Sequence, residues 1–544
     1  MSKVTQYLQE HLTGEVMDSS DAREYFSTDA SIFTLLPTTV VYPRSEGDVR
    51  KTARFTWQLA ERGRIIPITA RGSGTDQTGA ALGSGVIMAF PAHMNRIIEI
   101  DSKSGQVVVE PGINYGKLQQ TLITHGLFLP AAPSTLEYST VGGAVAKNSS
   151  GDKSFKYGDT RTFVQSLRVV LANGEVIDTQ PLGKRELNKK LGLATFEGEI
   201  YRAMDALLEE NRETIEGMRR GVTKNTAGYD LLDIKTKNGF DLSPLFVGSE
   251  GTLGIITEIT LDTLPHTPTT TLLVGMFDDV NLAAQAVSAL RRLSDLPSSI
   301  EMLDEGLLDL VNEINPSQLK EIIVKPFPKV IIIVEFDDAN ERTQKHAAKK
   351  AEKIFEKHAI SQRLATEEEE QRQLQKLRHS VATVLAHNKG KKHALPFIED
   401  GIVPPEKLAE YLDGTYQMLE RNHIKSAIWG HAGDANLHIM PYLDLNQVGD
   451  RQLLFRLLDE YSELINDLGG STSGGHGDGR LRTPYLHKLY GETAYGLFQK
   501  LKQIFDPYGT LNPGVKVNAT LDDLKPLLRR DYSLGSWYDH MPRG

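Results

Sequence analysis

The 544-residue chain reads as an α+β protein in two main parts, and three observations predict this. Short apolar segments with period-two alternation, punctuated by glycine and asparagine, fill much of the first 180 residues and mark strands. A second region, from about residue 267, mixes apolar strands with long charged helices. Between the two stands Pro265 with a threonine-rich run behind it, the best boundary in the chain.

Residues 1–36 read as a helical lead-in. From Tyr42 a strand–helix–strand unit follows: Ser45 and Asp48 resemble an N-cap pair, and Val49, Ala53, Trp57 and Ala60 recur at helical spacing. Residues 64–70 form a strand that runs into Arg71-Gly72-Ser73-Gly74-Thr75-Asp76, with further strands at 85–90, 96–101 and 106–110. Segments 167–171 and 175–179 make a hairpin about Asn173-Gly174, the favoured two-residue turn. Leucines among charges over 184–224 predict helices, and 244–264 returns to glycine-punctuated strand sequence. In the second region, 271–277, 330–336 and 426–429 are strands, and the Glu367–Glu370 run is a solvated helix face. The expected division is a lead-in (1–36), a first domain (37–266), a cap (267–505) and a tail (506–544) that folds back on the first domain.

Composition excludes several functions. A net charge of −10 with no dense basic run argues against a nucleic-acid partner. No run approaches the ~20 apolar residues of a membrane-spanning helix, and the start of the chain lacks the apolar core of a secretory signal. A cytoplasmic location is expected, with peripheral membrane association compatible. There is no cysteine, so thiol nucleophiles, cysteine-ligated zinc and iron–sulfur clusters held by this chain are excluded.

Three glycine-rich clusters carry the first functional signal. Arg71–Asp76 follows a strand, and successive N–H groups in such a loop form a cradle for pyrophosphate. It leads to another strand rather than a helix, which argues against a Rossmann NAD site. The second cluster comprises Pro133-Ser134-Thr135, Thr140-Val141-Gly142-Gly143 and Asn148-Ser149-Ser150-Gly151; the third is Gly248–Thr257. Small residues let main chain approach a flat ligand, and hydroxyls and amides bond its rim. Each cluster alone is a set of turns; three in this order point to one ligand.

That order resembles the FAD-binding domain of the vanillyl-alcohol oxidase and para-cresol methylhydroxylase superfamily, and within it the D-lactate, glycolate and D-2-hydroxyglutarate dehydrogenase branch. The resemblance runs from Pro43-Arg44-Ser45 to Asn512-Pro513-Gly514. It implies a two-part FAD-binding domain of the para-cresol methylhydroxylase type with an α+β substrate-binding cap. The cofactor-binding residues it implies are Arg71, Gly72, Ser73, Gly74, Thr75, Asp76, Pro133, Ser134, Gly142, Gly143, Ser149, Gly151, Tyr157, Gly158, Glu250, Gly251, Gly254, Ile256 and Asn512. Relatives that bond FAD covalently often carry His where Thr75 stands, so with no cysteine available the FAD is expected to be non-covalent.

The second signal is Gly430-His431-Ala432-Gly433-Asp434-Ala435-Asn436-Leu437-His438. A tight turn at 433–436 sets residues 431 and 438 opposite each other, on one face, with Cβ atoms ~5 Å apart. Two imidazoles so placed suit one divalent metal or simply pack in a hairpin. The resemblance implies that His431 and His438 ligate zinc or manganese, with a Glu directly before a His-Gly pair as third ligand. Here Gly475 stands in that place, so Glu399, Asp434 or a substrate carboxylate must complete any metal site. His476 is the candidate base, since an imidazole near neutrality can take the hydroxyl proton as hydride leaves the neighbouring carbon. Arg378, Arg480 and Arg482 are candidates to grip a carboxylate, and relatives have Arg or Asn where Met440 occurs.

The implied activity is oxidation of a small 2-hydroxy acid to the 2-oxo acid by hydride transfer to FAD. Electrons pass to an external acceptor: an iron–sulfur protein, a quinone or an electron-transfer flavoprotein. Self-association is left open. The alternatives are non-redox flavin chemistry of the ether-lipid synthase type, or a catalytically degenerate FAD-binding subunit of an electron-transfer complex.

Overall fold

The computed structural model describes residues 2–530 and 532, apart from 238, 317, 318, 320–322, 324, 366 and 380–390. The tail beyond Tyr532, included in the sequence reading, lies outside the described residues.

The first domain holds two sheets. Thr39–Tyr42 and Ile68–Arg71 run parallel to Val86–Ala89 between them, with the helix Glu46–Glu61 as the crossover. Nearly every residue of these strands is buried, as parallel strands covered on both faces require. The lead-in is not purely helical: helices Lys3–His11 and Ser20–Tyr25 flank a strand, Glu15–Met17, which pairs with Thr39–Tyr42 on the sheet edge. Ser45 makes no side-chain cap bond. Asp48 instead accepts the N–H groups of Thr13, Gly14 and Arg44, so the expected cap residue ties the lead-in to the domain.

The second sheet is antiparallel, in the order Ile97–Asp101, Gln106–Val109, Ile255–Asp262, Val164–Val170, Val176–Thr179. Its last two strands are the hairpin expected about Asn173-Gly174, with Gly174 at φ +82°. Segment 184–224 is helical as read only as far as Glu216, in Lys184–Leu191, Phe196–Glu210 and Arg212–Glu216, and residues 217–224 are turns and irregular chain.

The cap is an antiparallel sheet in the order Ser361–Ala365, Thr271–Phe277, Val330–Phe336, Ser299–Asp304, Ser426–His431, Asn436–Leu443, His393–Ala394, with Gly401–Ile402 also on Asn436–Leu443. All seven residues of Val330–Phe336 are buried, because helices pack on both faces of this strand. Helices Val280–Leu290, Glu341–His358 and Leu408–Arg421 contribute to the core on one face, and Glu305–Ile314 with Glu368–His379 to that on the other. Each such buried Ile or Val contributes ~1.5–3 kcal/mol.

The chain returns to the first domain earlier than the boundary read after 505. Helix Leu486–Phe505 already places Leu497, Phe498, Leu501 and Phe505 in the core that surrounds the antiparallel sheet of that domain. The tail follows: Leu511 bridges Ile68, Phe33 bridges Leu528, and the Tyr532 hydroxyl donates to Ala30 O. No helix among the described residues is long and apolar enough to cross a membrane.

Candidate active site

A cavity lies between the first domain and the cap. Of the predicted site residues, all but Gly151, Tyr157, Gly158, Asn512, Arg480, Arg482, Glu399 and Asp434 line it.

The first-domain wall is built from backbone. Among the described residues no hydrogen bond engages the backbone N–H groups of residues 72–77. The neighbouring N–H groups of Thr78, Ala80 and Ala81 are all held by Asp76. Successive unengaged amides on a cavity wall are a cradle for an anion such as a pyrophosphate. Gly74 sits at φ +79°, where a Cβ would collide with the Arg71 guanidinium. Arg71 itself is turned away to the carbonyls of Phe26 and Thr28, supporting the loop from behind. Gly142 opens the short helix Val141–Lys147, and a Cβ there would lie 2.5 Å from Pro111 Cβ. The close approach at these glycines is thus of chain to chain, and it shapes the wall.

Two buried polar atoms of this wall, Ser149 Oγ and Gln77 Oε1, have no protein partner. With the open amides they form donors and acceptors for a flat polar group, so the residues present fit FAD. Lys147 crosses the wall, with its ammonium 2.6 Å from Asp76 and 3.2 Å from Glu250. The Glu250 carboxyl is pushed up by burial despite the lysine.

The cap wall is built from paired side chains. The hairpin turn occupies Ala432–Asp434 and Ala435, the latter left-handed at φ +54°. The register therefore sets His431 opposite Asn436 and Trp429 opposite His438, a shift of two from the expected 431–438 pairing. An even shift preserves the face. The two imidazoles still meet, edge to face, with centroids 5.4 Å apart. His431 Nδ1 lies 2.9 Å from Glu301 on the next strand.

His438 stacks on His476 at 4.8 Å, and both Nδ1 atoms reach the same oxygen, Glu399 Oε2, at 3.2 and 2.7 Å. The other Glu399 oxygen pairs with Arg482. Asp400 accepts the N–H groups of Gly475 and His476 and the Ser473 hydroxyl, which fixes the glycine loop. Burial pushes the Glu399 carboxyl up, but His476 and Arg482 outweigh it and hold it well below its ordinary range. The same pairing splits the imidazoles. Burial lowers both; at His476 the carboxylates of Glu399 and Asp400 prevail and raise it, while at His438 burial prevails.

A Cβ at Gly475 would strike Ser150 Oγ, a hydroxyl that accepts from the buried Lys224. A side chain at 475 would displace that hydroxyl, and Glu399, just before the strand Gly401–Ile402, brings a carboxylate to the two imidazoles instead. Asp434, the other candidate, is engaged by Ser154 at 2.8 Å and Lys224 at 3.6 Å. His431 stands outside the group formed by Glu399, Asp400, His438 and His476, whose ligand atoms lie within 4.8 Å of one another.

Several expected contacts are placed elsewhere. Arg480 donates to the carbonyls of Leu82 and Pro513 and faces away from the cavity, tying the tail to the first domain. Asn512 clamps the carbonyls of Ala80 and Glu250 from behind. The Tyr157 hydroxyl goes to Asp337, Gly158 packs on Thr162, and Gly151 on the Ala132 carbonyl. Arg378 does line the cavity, with its guanidinium on Asp152, Glu335 and Ser299. A second hollow shares Arg378, Trp429, His431 and His438 with the first.

Sequence reading missed Lys147, Gln77, Glu301 and Tyr532 in this environment. Glu301 carried a signal, an acid between Ile300 and Met302 in the wholly buried strand Ser299–Asp304; Tyr532 carried none.

Comparison with known proteins agrees with this layout. A family model described as FAD binding domain matches residues 37–180, and one described as FAD linked oxidases, C-terminal domain, matches 267–515. The chain is 34% identical over 524 residues to D-2-hydroxyglutarate dehydrogenase of Escherichia coli (strain K12), covering 93% of this chain and 50% of that protein. The chain thus spans about half the length of that relative. It is 30% identical over 501 residues to glycolate oxidase subunit GlcD of Bacillus subtilis (strain 168), covering 91% and 93%. The solved p-cresol methylhydroxylase with substrate bound shares the fold, with TM-score 0.70 at 15% identity over 96% of this chain and 97% of that one. With both domain models in order and a relative matched over nearly its full length, the chain belongs to the FAD-linked oxidases.

Proposed function

We propose that the chain binds FAD non-covalently and oxidises a small 2-hydroxy acid to the 2-oxo acid, its electrons leaving to an external acceptor. The observation that carries this reading is that His476, paired with Glu399, lines the same cavity as residues 72–77 with their unengaged amides. Bound flavin supplies the acceptor for the hydride from the substrate carbon. The protein supplies the rest. Glu399 stays anionic and holds His476 by Nδ1, which leaves Nε2 to take the hydroxyl proton. Its raised affinity for that proton comes from Glu399 and Asp400 acting against burial. Arg378, held in place by Asp152 and Glu335, faces the cavity as partner for the substrate carboxylate.

The convergence of Glu399, His438 and His476 favours a second reading of the same cluster. His476 Nδ1 is buried and has no aligned hydrogen-bond partner, and an N,N,O set suits zinc or manganese. A metal there supplies Lewis acidity toward the substrate hydroxyl and makes His476 a ligand rather than the base. Elemental analysis of the purified protein separates the two readings.

The test is anaerobic absorbance of the flavin-loaded protein mixed with D- and L-2-hydroxy acids. Bleaching is expected with one enantiomer series. A protein that binds flavin but is bleached by no acid is instead a non-redox enzyme or an electron-transfer subunit.

A further inference from the structure

We propose that the substrate carries an apolar side chain, because the cavity beside His438 and His476 is walled by Met440, Trp429, Ala394 and the ring of Tyr532. The proposal rests on the reading above and specifies its substrate class: 2-hydroxy acids with an aliphatic or aromatic group, in preference to those with a second carboxylate.

The wall follows from strand register. Trp429 lies opposite His438, and Ala394 lies opposite Tyr442, so Met440, between His438 and Tyr442 in the alternation, shares their face. The face that presents the imidazole therefore continues as apolar surface. Met440, Ala394 and Ala427 belong to one core cluster, against which Trp429 and Tyr442 pack. Tyr532 closes the wall from the tail. Its hydroxyl is engaged by Ala30 O, and Arg529 covers its ring at 5.2 Å. What it offers the cavity is ring carbon.

Charge points the same way. Among the described residues lining this cavity, the lysines and arginines are Arg71, Lys147 and Arg378. Arg71 is turned to backbone carbonyls, and Lys147 lies between Asp76 and Glu250. Arg378 is already paired with Asp152 and Glu335, so it is matched at most to the one carboxylate every 2-hydroxy acid carries. A second carboxylate turned toward Met440 is buried against methylene and ring carbon without a counter-charge, which is costly. The second hollow is different: Lys345, Lys349 and Arg372 line it together with Glu335, Asp337 and Glu341. A side chain directed there meets charged groups of both signs rather than methylene and ring carbon, so substrate ranking reports which way it points.

The experiment is anaerobic reduction of the flavin-loaded full chain by 2-hydroxyisocaproate, 3-phenyllactate, lactate and 2-hydroxyglutarate, each as both enantiomers. Removal of one methylene from a fitted apolar pocket costs about tenfold or more in kcat/KM. The expected result is that 2-hydroxyisocaproate or 3-phenyllactate exceeds both lactate and 2-hydroxyglutarate by about tenfold or more. Met440→Gln, close in length, is expected to narrow that ratio. The ranking in the unsubstituted protein decides without the variant. Bleaching led by 2-hydroxyglutarate overturns the apolar assignment and leaves the oxidation reading standing. Bleaching led by lactate overturns it as well. Bleaching by no acid overturns the oxidation reading and this proposal with it.

Discussion

Where the first domain meets the cavity, residues 72–77 line it with backbone amides that no hydrogen bond engages among the described residues, and small residues let one segment lie close on the next. Where the cap and the 471–482 loop meet it, the surface is made of ionisable side chains in pairs: His431 with Glu301, His438 and His476 with Glu399, and Arg482 behind them. Both walls hold charge, but differently. The first offers fixed dipoles, which suit an anionic cofactor that stays bound through many turnovers. The second offers groups whose proton affinities are pushed apart because burial prevails at His438 and the carboxylates of Glu399 and Asp400 prevail at His476, which suits a step in which a proton moves. Binding and chemistry are therefore separable by substitution.

The largest effect is expected from Glu399→Gln. It removes the anion that orients His476 and leaves Arg482 buried opposite a neutral amide. The flavin reduction rate is expected to fall about 10³-fold with the visible flavin spectrum retained. Loss of flavin instead breaks the distinction between the walls. The converse is Gly142→Val, whose Cβ meets Pro111 at 2.5 Å. Overpacking of this kind costs ~1–3 kcal/mol, so titration of apoprotein with FAD should show affinity weakened by up to about 100-fold.

Next in size is a pH effect confined to the cap. Burial pushes the Asp304 carboxyl up to about 7, against the bonds it accepts from Ile428, Leu307 and Tyr416. The folded state then holds a proton that the unfolded chain has released. Stability should fall as pH rises from roughly 4 to 7, by at most ~1.4 kcal/mol per unit. Thermal unfolding of Asp304→Asn across that range should lack this component of the slope; an unchanged slope refutes the assignment. The smallest effect sits on the outside of the first domain. Arg212 pairs with Glu209 at 3.2 Å, both exposed, and Arg212→Ala should change stability by under ~0.5 kcal/mol with flavin binding and reduction unaltered.

The glycine loops were legible because their signal is local. A strand followed by Arg71-Gly72-Ser73-Gly74 presents its amides whatever lies across the cavity. The hairpin was partly legible. The turn was placed one residue late, yet the resulting shift of two kept both imidazoles on one face. The arginines were not. Arg378, Arg480 and Arg482 are equivalent in sequence as carboxylate partners, but one faces the cavity, one holds the tail and one neutralises Glu399. A side chain's direction depends on what packs around it.

By itself, the sequence determined the class of fold, the three small-residue clusters and the histidines that line the cavity. These depend on backbone conformation, strand periodicity and residue type, all set within a few residues. The tertiary structure alone decided that Glu399 brings its carboxylate to His438 and His476, that Met440 and Tyr532 line one cavity with His438, and that His431 pairs with Glu301. Those pairings join positions tens to hundreds of residues apart. Their energies depend on burial and distance, and neither quantity exists until the sheets have docked.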